Sequence, residues 1–262
     1  MDKTAVHTFV VCAYQESPFL EDCVKSLLAQ TVKSKIMIST STPNESIRAV
    51  ASRYALPLFI NKGEAGITGD WNFGFSLVDT PYLTIAHQDD LYEPTYTESI
   101  LAKAERTKRP ILLFTDYFEI RNGERVYNNT LLRIKKMMNF GFRLFRNWRW
   151  ARLRVLSVGN SICCPSVTFC MEACKNFRFD GQFRFACDWD AWDRLARQKG
   201  AFVYVREPLM GHRIHEGSET TKLTADTRRA EEEYLMFHRY WPAFVARRLS
   251  KYYAKGADSN QL

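Results

Sequence analysis

Residues 81–94 read PYLTIAHQDDLYEP, an apolar run that ends abruptly in two adjacent carboxylates, Asp89 and Asp90. The run through His87 is predicted to be a strand. Before it, DWNFGFSLVD (70–79) reads as a helix, and after it TYTESILAKAERT (95–107) reads as another. A strand set between two helices is the repeating unit of a parallel sheet, whose ligand sites lie at the carboxyl ends of the strands. Asp89 and Asp90 stand at such an end. Adjacent carboxylates repel one another unless a cation or hydrogen-bond donors sit beside them, and a divalent metal is the commonest solution. Capping of the following turn accounts for the pair equally well on local sequence alone.

The alternation extends in both directions. Toward the amino end, TAVHTFVVC (4–12) is β-branched and apolar, as a strand buried on both faces requires. In AYQESPFLEDCVKSLLAQT (13–31), Ser17 before Pro18 predicts a helix start, followed by Phe19, Leu20, Cys23 and Leu27 at helical spacing. KIMIST (35–40), PNESIRAVASRYA (43–55, Pro43 at its start) and LPLFIN (56–61) repeat strand, helix and strand, and a glycine-containing loop spans Lys62 to Gly69. Toward the carboxyl end, ILLFTDYFEI (111–120) is a strand closed by an Asn122-Gly123 turn. SVTFC (166–170) and AFVYV (201–205) are strands on either side of a helix across DWDAWDRLARQKG (188–200), ended by Gly200. Thr224 to Lys255 has helical composition, the last residues from Gly256 are expected to fray, and no internal repeat is present. The prediction is an α/β, doubly wound, mostly parallel sheet with helices on both faces.

Composition limits what such a chain can be. With 46% hydrophobic and 25% charged residues, the 262-residue chain is globular rather than disordered. There is no run of 18 apolar residues, and MDKTAVHTFVVCAYQES has too short an apolar stretch for a secretory signal, so a cytoplasmic protein is expected. Seven cysteines, with Cys163 and Cys164 adjacent and no CxxC, fit reduced thiols rather than a disulfide framework or zinc site.

The net charge of +8 is local. Between Arg125 and Met171 nine bases and no acid occur, which leaves the rest of the chain near neutral. The bases alternate with Phe140, Phe142, Phe145, Trp148 and Trp150 in the stretch RIKKMMNFGFRLFRNWRWARLR (133–154). Two readings fit: an amphipathic helix drawn to an anionic membrane surface, or a helix packed on the core with snorkelling arginines. Nucleic acid is not an expected partner, since no recognised binding module is present.

Two further segments carry chemistry. In CDWDAWDRLARQKG (187–200), Asp190 and Asp193 share a helix face with Arg194 and Arg197, as surface ion pairs do, whereas Asp188 stands at the helix start as a general base or an N-cap. In GHRIHEGSET (211–220), His212 and His215 lie in a polar loop where a neutral imidazole could complete a metal or phosphate site, or simply be solvated.

Taken in order, VVCAYQESPFLEDCVKSLLAQT, NKGEAGITGDWNFGFSLVDTPYLTIAHQDDLYEP, CDWDAWDRLARQKG and HRIHEGSET resemble the family 2 inverting glycosyltransferases of the GT-A fold, over roughly residues 5–220. The resemblance implies that Ala13, Tyr14 and Glu16 line the base and ribose of a nucleotide-sugar donor, with Thr40 and Gln88 beside them. Gly66, Asp70 and Asn72 would flank the diphosphate. Asp89 would bind Mg²⁺ or Mn²⁺ directly, assisted by Asp90 and His215, and Arg213 and His215 would offset diphosphate charge. Asp188 would deprotonate the acceptor hydroxyl, a contribution of about 10²–10⁴-fold.

Two departures stand out. His87 occupies the place of the first Asp of a DxDD motif, and IMISTSTPNES (36–46) lacks the Asp that commonly ends the second strand, leaving Ser39, Thr40 or Ser41 to meet the base. The implied organisation is one GT-A domain with a nucleotide-sugar half (1–105), an acceptor and catalytic half (106–223, with the basic insertion at 125–160) and a helical tail (224–262). The implied function is inverting transfer to a saccharide or lipid-linked saccharide in cell-surface polysaccharide or glycolipid synthesis, peripheral to the inner face of the plasma membrane. The alternative, suggested by the two departures, is an inactive nucleotide-sugar-binding scaffold of the same fold.

Overall fold

The computed structural model describes residues 6–215 and 227–257. Its amino-terminal half is β1 (His7–Ala13), α1 (Leu20–Leu28), β2 (Lys35–Thr40), α2 (Glu45–Arg53), β3 (Leu58–Ile60), α3 (Ile67–Ser76) and β4 (Tyr82–His87). β5 (Leu91–Tyr92), α4 (Tyr96–Glu105), β6 (Pro110–Arg121) and β7 (Glu124–Val126) follow. The basic stretch folds as α5 (Thr130–Leu144) and α6 (Arg149–Leu156). Then come β8 (Val167–Cys170), α7 (Cys187–Ala196), β9 (Ala201–Ile214), α8 (Thr227–His238) and α9 (Ala243–Ala257). Thr4 and Ala5 of the expected first strand, and residues 224–226 and 258–262 of the expected tail, lie outside the described residues.

All the strands join one sheet in the order β3-β2-β1-β4-β8-β6-β9-β5, with β7 paired to β6. β1 to β4 are parallel neighbours, and β6 and β9 are parallel along nearly their full length. β8 is inserted antiparallel to both β4 and β6. One face of the sheet is covered by α1, α2 and α4 through Leu20, Val24, Ile47 and Ile100, and the other by α3, α7 and the tail through Phe75, Trp189, Trp192 and Phe237. The predicted α/β architecture with helices on both faces is thus the observed one.

Several boundaries differ, each for a local reason. Ser17 does not cap α1: its Oγ accepts from the Phe19 amide at 3.3 Å in a turn ahead of a helix that begins at Leu20. Asn44, rather than Pro43, starts α2 by accepting from the Ile47 amide at 2.9 Å. Gly200 does not end α7, which stops at Ala196. At φ +148°, Gly200 leads into β9, and a Cβ there would lie 2.6 Å from the Arg109 carbonyl oxygen. The last turn of α7 is closed instead by Arg152 of the basic stretch. It is buried and donates to the carbonyls of Ala196, Gln198 and Gly200 at 2.5–2.9 Å, where helix-end carbonyls favour a cation.

Asp190 and Asp193 are also reassigned. Their pairs with Arg194 and Arg197 form at 2.8 and 2.9 Å, but both carboxylates are buried. They are shared with Arg239 at 2.7 and 3.3 Å, and Asp193 also accepts from the Tyr240 hydroxyl at 2.6 Å, so they anchor the C-terminal segment to α7.

Candidate active site

The chain runs β1-β2-β3 on one side of β1 and returns to β4 on the other, which makes the carboxyl ends of β1 and β4 the topological switch point where α/β sheets bind ligands. The two loops leaving that point are clasped. The Tyr14 amide donates to Gln88 Oε1 at 3.0 Å, and Gln88 Nε2 donates back to the Tyr14 carbonyl at 2.9 Å. Gln15, at φ +54°, donates its amide to Thr42 Oγ1 at 2.5 Å, and Thr40 Oγ1 accepts from the Thr42 amide at 3.0 Å. Ala13 is buried at the end of β1, while Tyr14 and Glu16 are exposed in the loop. Ala13, Tyr14, Thr40 and Gln88 are thereby gathered at one rim.

Gly66, at φ +99°, begins α3, and its carbonyl accepts from the Asp70 amide at 2.8 Å. Asp70 is held at both oxygens: Asn61 Nδ2 donates to one at 2.8 Å and Ser41 Oγ to the other at 2.7 Å. Ser41, at the place of the absent second-strand Asp, therefore binds the Asp70 carboxylate. Asn72 is not brought into this group, because its amide exchanges two bonds with the Phe179 backbone at 2.7 and 2.9 Å.

At the end of β4, ligand atoms of His87, Asp89 and Asp90 lie within 4.8 Å of one another. Asp90 is fully buried, and its Oδ1 is held by His212 Nδ1 at 3.1 Å and the Arg213 amide at 3.0 Å. Arg213 Nε donates to the Asp89 carbonyl at 2.9 Å, and His215 Nε2 meets Asp89 Oδ2 at 3.1 Å. The guanidinium of Arg213 lies 4.3 Å above the Phe19 ring. Burial would raise the Asp89 carboxyl, but the His215 bond and the nearby His87 and His212 hold it below the usual carboxylate range. Burial would lower His212, yet Asp90 beside it draws it above the usual imidazole value.

These contacts correct the loop expected for 211–220. Gly211 to Ile214 continue β9 against β6, so His212 and Arg213 stand on a rigid strand and His215 just beyond it. Residues 216–220 of that segment lie outside the described residues.

The donor set fits a divalent cation. Asp90 Oδ2 and His87 Nε2 are buried without a hydrogen-bond partner, although both sit in the cluster. Unpartnered buried polar atoms cost free energy, and two convergent carboxylates suit Mg²⁺ or Mn²⁺, with an imidazole favouring the transition metal. His87, noted in the sequence only as a departure, is the third group of the cluster and stacks on Trp71 at 5.4 Å between ring centroids. His215 touches the cluster through Asp89.

Asp188 is separate from this group, in the first turn of α7. Its Oδ2 accepts from Asn160 Nδ2 and its Oδ1 from the Trp189 amide, both at 2.7 Å, while burial pushes its carboxyl above the usual range. The capping role belongs to another residue. Glu232 of α8, itself buried, accepts from the successive amides of Arg184, Phe185 and Ala186 at 2.7–3.0 Å, just ahead of α7.

A third charged group was hidden in the basic stretch. Lys135 turns to the inner side of α5 and donates to the Tyr117 hydroxyl at 3.0 Å. Its charge acts on both Asp188 and His212, and among the described residues no carboxylate lies within ion-pair distance of it. Its sequence signal was spacing: Leu132, Asn139 and Phe142 are the buried stripe of α5, and Lys135 lies on it.

Comparison with known proteins places these features in a family. Residues 8–173 match the family model described as glycosyl transferase family 2. The minor teichoic acid biosynthesis protein GgaB of Bacillus subtilis (strain 168) is 21% identical over 230 residues, which is 81% of this chain and 23% of that one. The chain therefore spans about a quarter of that relative's length. The mannosyltransferase PcManGT from Pyrobaculum calidifontis, solved with GDP-Man and Mn²⁺, is similar with a TM-score of 0.65 at 13% identity, over 99% of this chain and 75% of that one. S. aureus TarS 1-349, solved with UDP-GlcNAc, has a TM-score of 0.62 at 12% identity, over 94% and 70% of the two chains. The structural likenesses establish the GT-A fold, and with a family match over more than half of its residues the chain belongs to glycosyl transferase family 2.

Proposed function

We propose that the protein transfers a sugar from a nucleotide-diphosphate sugar to a hydroxyl of a saccharide or lipid-linked saccharide, with inversion, in cell-surface polysaccharide or glycolipid synthesis. The observation that carries this reading is the placement of two sets of acids: Asp89 and Asp90, braced by β9 at the switch point, and a half-buried Asp188 with hydrogen-bond partners of its own. Ala13, Tyr14, Glu16, Thr40 and Gln88 hold the nucleoside at the clasped rim. Gly66 and Asp70 flank the diphosphate, and Arg213 and His215 offset its charge. Asn72 contributes through the segment it fixes at Phe179. Asp89 and Asp90, with His87 or His215 beside them, would hold a Mn²⁺ or Mg²⁺ ion, which would supply Lewis-acid stabilisation of the leaving group.

Asp188 Oδ accepts the acceptor hydroxyl's proton as the oxygen attacks the anomeric carbon and the bond to the diphosphate breaks on the opposite side. A single in-line displacement inverts that carbon. The raised carboxyl of Asp188 makes it a stronger base than an ordinary aspartate once ionised. An inactive scaffold is not favoured. Family membership speaks against it, and the two departures behind it have structural occupants: His87 sits in the cluster, and Ser41 binds Asp70. The protein acts peripherally at the inner face of the plasma membrane; no helix among the described residues is long and apolar enough to cross a membrane.

Hydrolysis of UDP- and GDP-sugars by the purified chain, with Mn²⁺, Mg²⁺ or a chelator, tests the donor reading without needing the acceptor. Turnover of at least one donor that stops with chelation is expected. No turnover of any nucleotide sugar with either metal contradicts it.

A further inference from the structure

Helix α5 has two apolar sides where one would serve its packing. Its inner stripe is Leu132, Asn139 and Phe142, buried on the sheet. On the opposite side Ile134, Met137, Phe140 and Leu144 recur at intervals of three, three and four residues, which places them along one outer face. All four are exposed, Met137 to 72%. Beyond the end of α5 the surface continues through Phe145, Trp148 and Trp150, the two indoles being 64% and 67% exposed. A large exposed apolar patch is uncommon on a monomer and marks an interaction surface.

The charges in this surface are unbalanced. Five of the nine bases have hydrogen-bond or ion-pair partners: Arg125 pairs with Glu93 at 2.6 Å, Arg152 caps α7, Lys135 faces inward to Tyr117, Arg133 donates to Asn128 Oδ1 at 2.7 Å, and Lys136 donates to the Tyr127 carbonyl at 3.1 Å. Six of the nine, Arg133, Lys136, Arg143, Arg146, Arg149 and Arg154, have no carboxylate within ion-pair distance among the described residues, so their charge is not neutralised. Arg143 and Arg154 instead lie over the rings of Phe140 and Trp150, at 5.9 and 5.2 Å. Cations interleaved with exposed rings and thioethers complement an interface that is anionic at its surface and apolar just below.

The same face contains a cavity of about 290 Å³ lined by Lys136, Met137, Phe140, Tyr204 and Arg206. Its walls are largely apolar, and among the described residues its two cations, one from α5 and one from β9, have no carboxylate within ion-pair distance, although the charge of both acts on the Asp116 carboxyl. The nearest acid, Asp116, is buried beneath and accepts from the Tyr204 hydroxyl at 2.6 Å, so it is already engaged.

From these features we infer that the outer face of α5 and α6 docks on an anionic phospholipid membrane, with the cavity taking one lipid headgroup. The phosphate lies between Lys136 and Arg206, and Met137 and Phe140 meet the glycerol and the upper acyl chain. Asn160, four residues beyond α6, donates to Asp188, so the helices that meet the lipid also position the base.

The test uses the full chain without any donor, so its failure leaves the transferase reading standing, and a failed hydrolysis screen leaves this one standing. Co-sedimentation is measured with vesicles of phosphatidylcholine alone and of phosphatidylcholine mixed with phosphatidylglycerol, at low and raised salt. The expected result is binding to the mixed vesicles only, released by salt, with a blue-shifted tryptophan emission that brominated lipid quenches. Lys136→Ala combined with Arg206→Ala should weaken partitioning roughly thirtyfold, and Arg143→Glu, Arg146→Glu and Arg149→Glu together by more, with melting temperatures near that of the unsubstituted chain. Equal binding to both vesicles, binding to neither, variants that bind as tightly as the parent, or retention by duplex DNA in place of vesicles would each overturn the inference.

Discussion

At the scale of single residues, the site depends on how a few buried charges are balanced. Asp188 is raised by burial, and the Asn160 bond, the Trp189 amide and the charge of Lys135 act in the opposite direction. A general base works only when ionised, so transfer should fall as pH drops through this raised value, above the range of an exposed aspartate. Lys135→Met removes a positive charge that favours the ionised carboxylate. Its acid limb should therefore move to higher pH, while the affinity for nucleotide diphosphate stays within about a factor of two to three, since no donor contact is removed. A pH–rate profile of the variant checks this, and an unmoved limb would mean that Lys135 does not act on the base. Asp188 was singled out from its motif as a candidate base or cap. Lys135 was not, because nine bases in a row of aromatics look like one surface until the helix phase assigns each to a side.

At the scale of elements, α7 is set from a distance. Glu232 of α8 supplies the acceptor for three consecutive amides ahead of α7, and Arg152 of α6 supplies the donors for its last carbonyls. Glu232→Ala removes the acceptor of all three amides and leaves the buried one, of Ala186, unpaired, which should cost about 1–3 kcal/mol in denaturant unfolding, with a matching fall in melting temperature. An unchanged unfolding midpoint would show that water replaces the carboxylate without loss. Neither cap was legible in sequence, because each partner lies far along the chain. The β-branched runs at 7–13, 35–40 and 82–87 were legible, since each strand is buried and needs no context to be read. The extension of β9 through Gly211 to Ile214 was missed: its residues look like a polar loop, yet they pair with Phe118 to Arg121 of β6. β5, with two residues, is too short to carry a pattern, and the antiparallel insertion of β8 is a pairing choice that no periodicity records.

At the scale of the whole molecule, the parallel half of the sheet presents a rim at the switch point, and β9 closes that rim by pinning both Asp89 and Asp90. Asp188 comes from α7, beyond the antiparallel strand β8, so in the proposed mechanism the groups for donor and acceptor chemistry come from different parts of the chain. The net positive charge follows the same division, since residues 125–171 hold nine bases and no acid. The central claim is that this division is catalytic, and Asp188→Asn tests it most directly. The amide keeps the size of the carboxylate and one of its two acceptor oxygens, enough to accept from either Asn160 or the Trp189 amide, but it cannot take a proton. Sugar transfer to an acceptor should fall at least roughly a hundredfold, while the affinity for the nucleotide diphosphate measured by calorimetry and the melting temperature stay close to those of the parent. A variant that transfers sugar at close to the parent rate would contradict the assignment of the base, and with it the mechanism proposed for this fold.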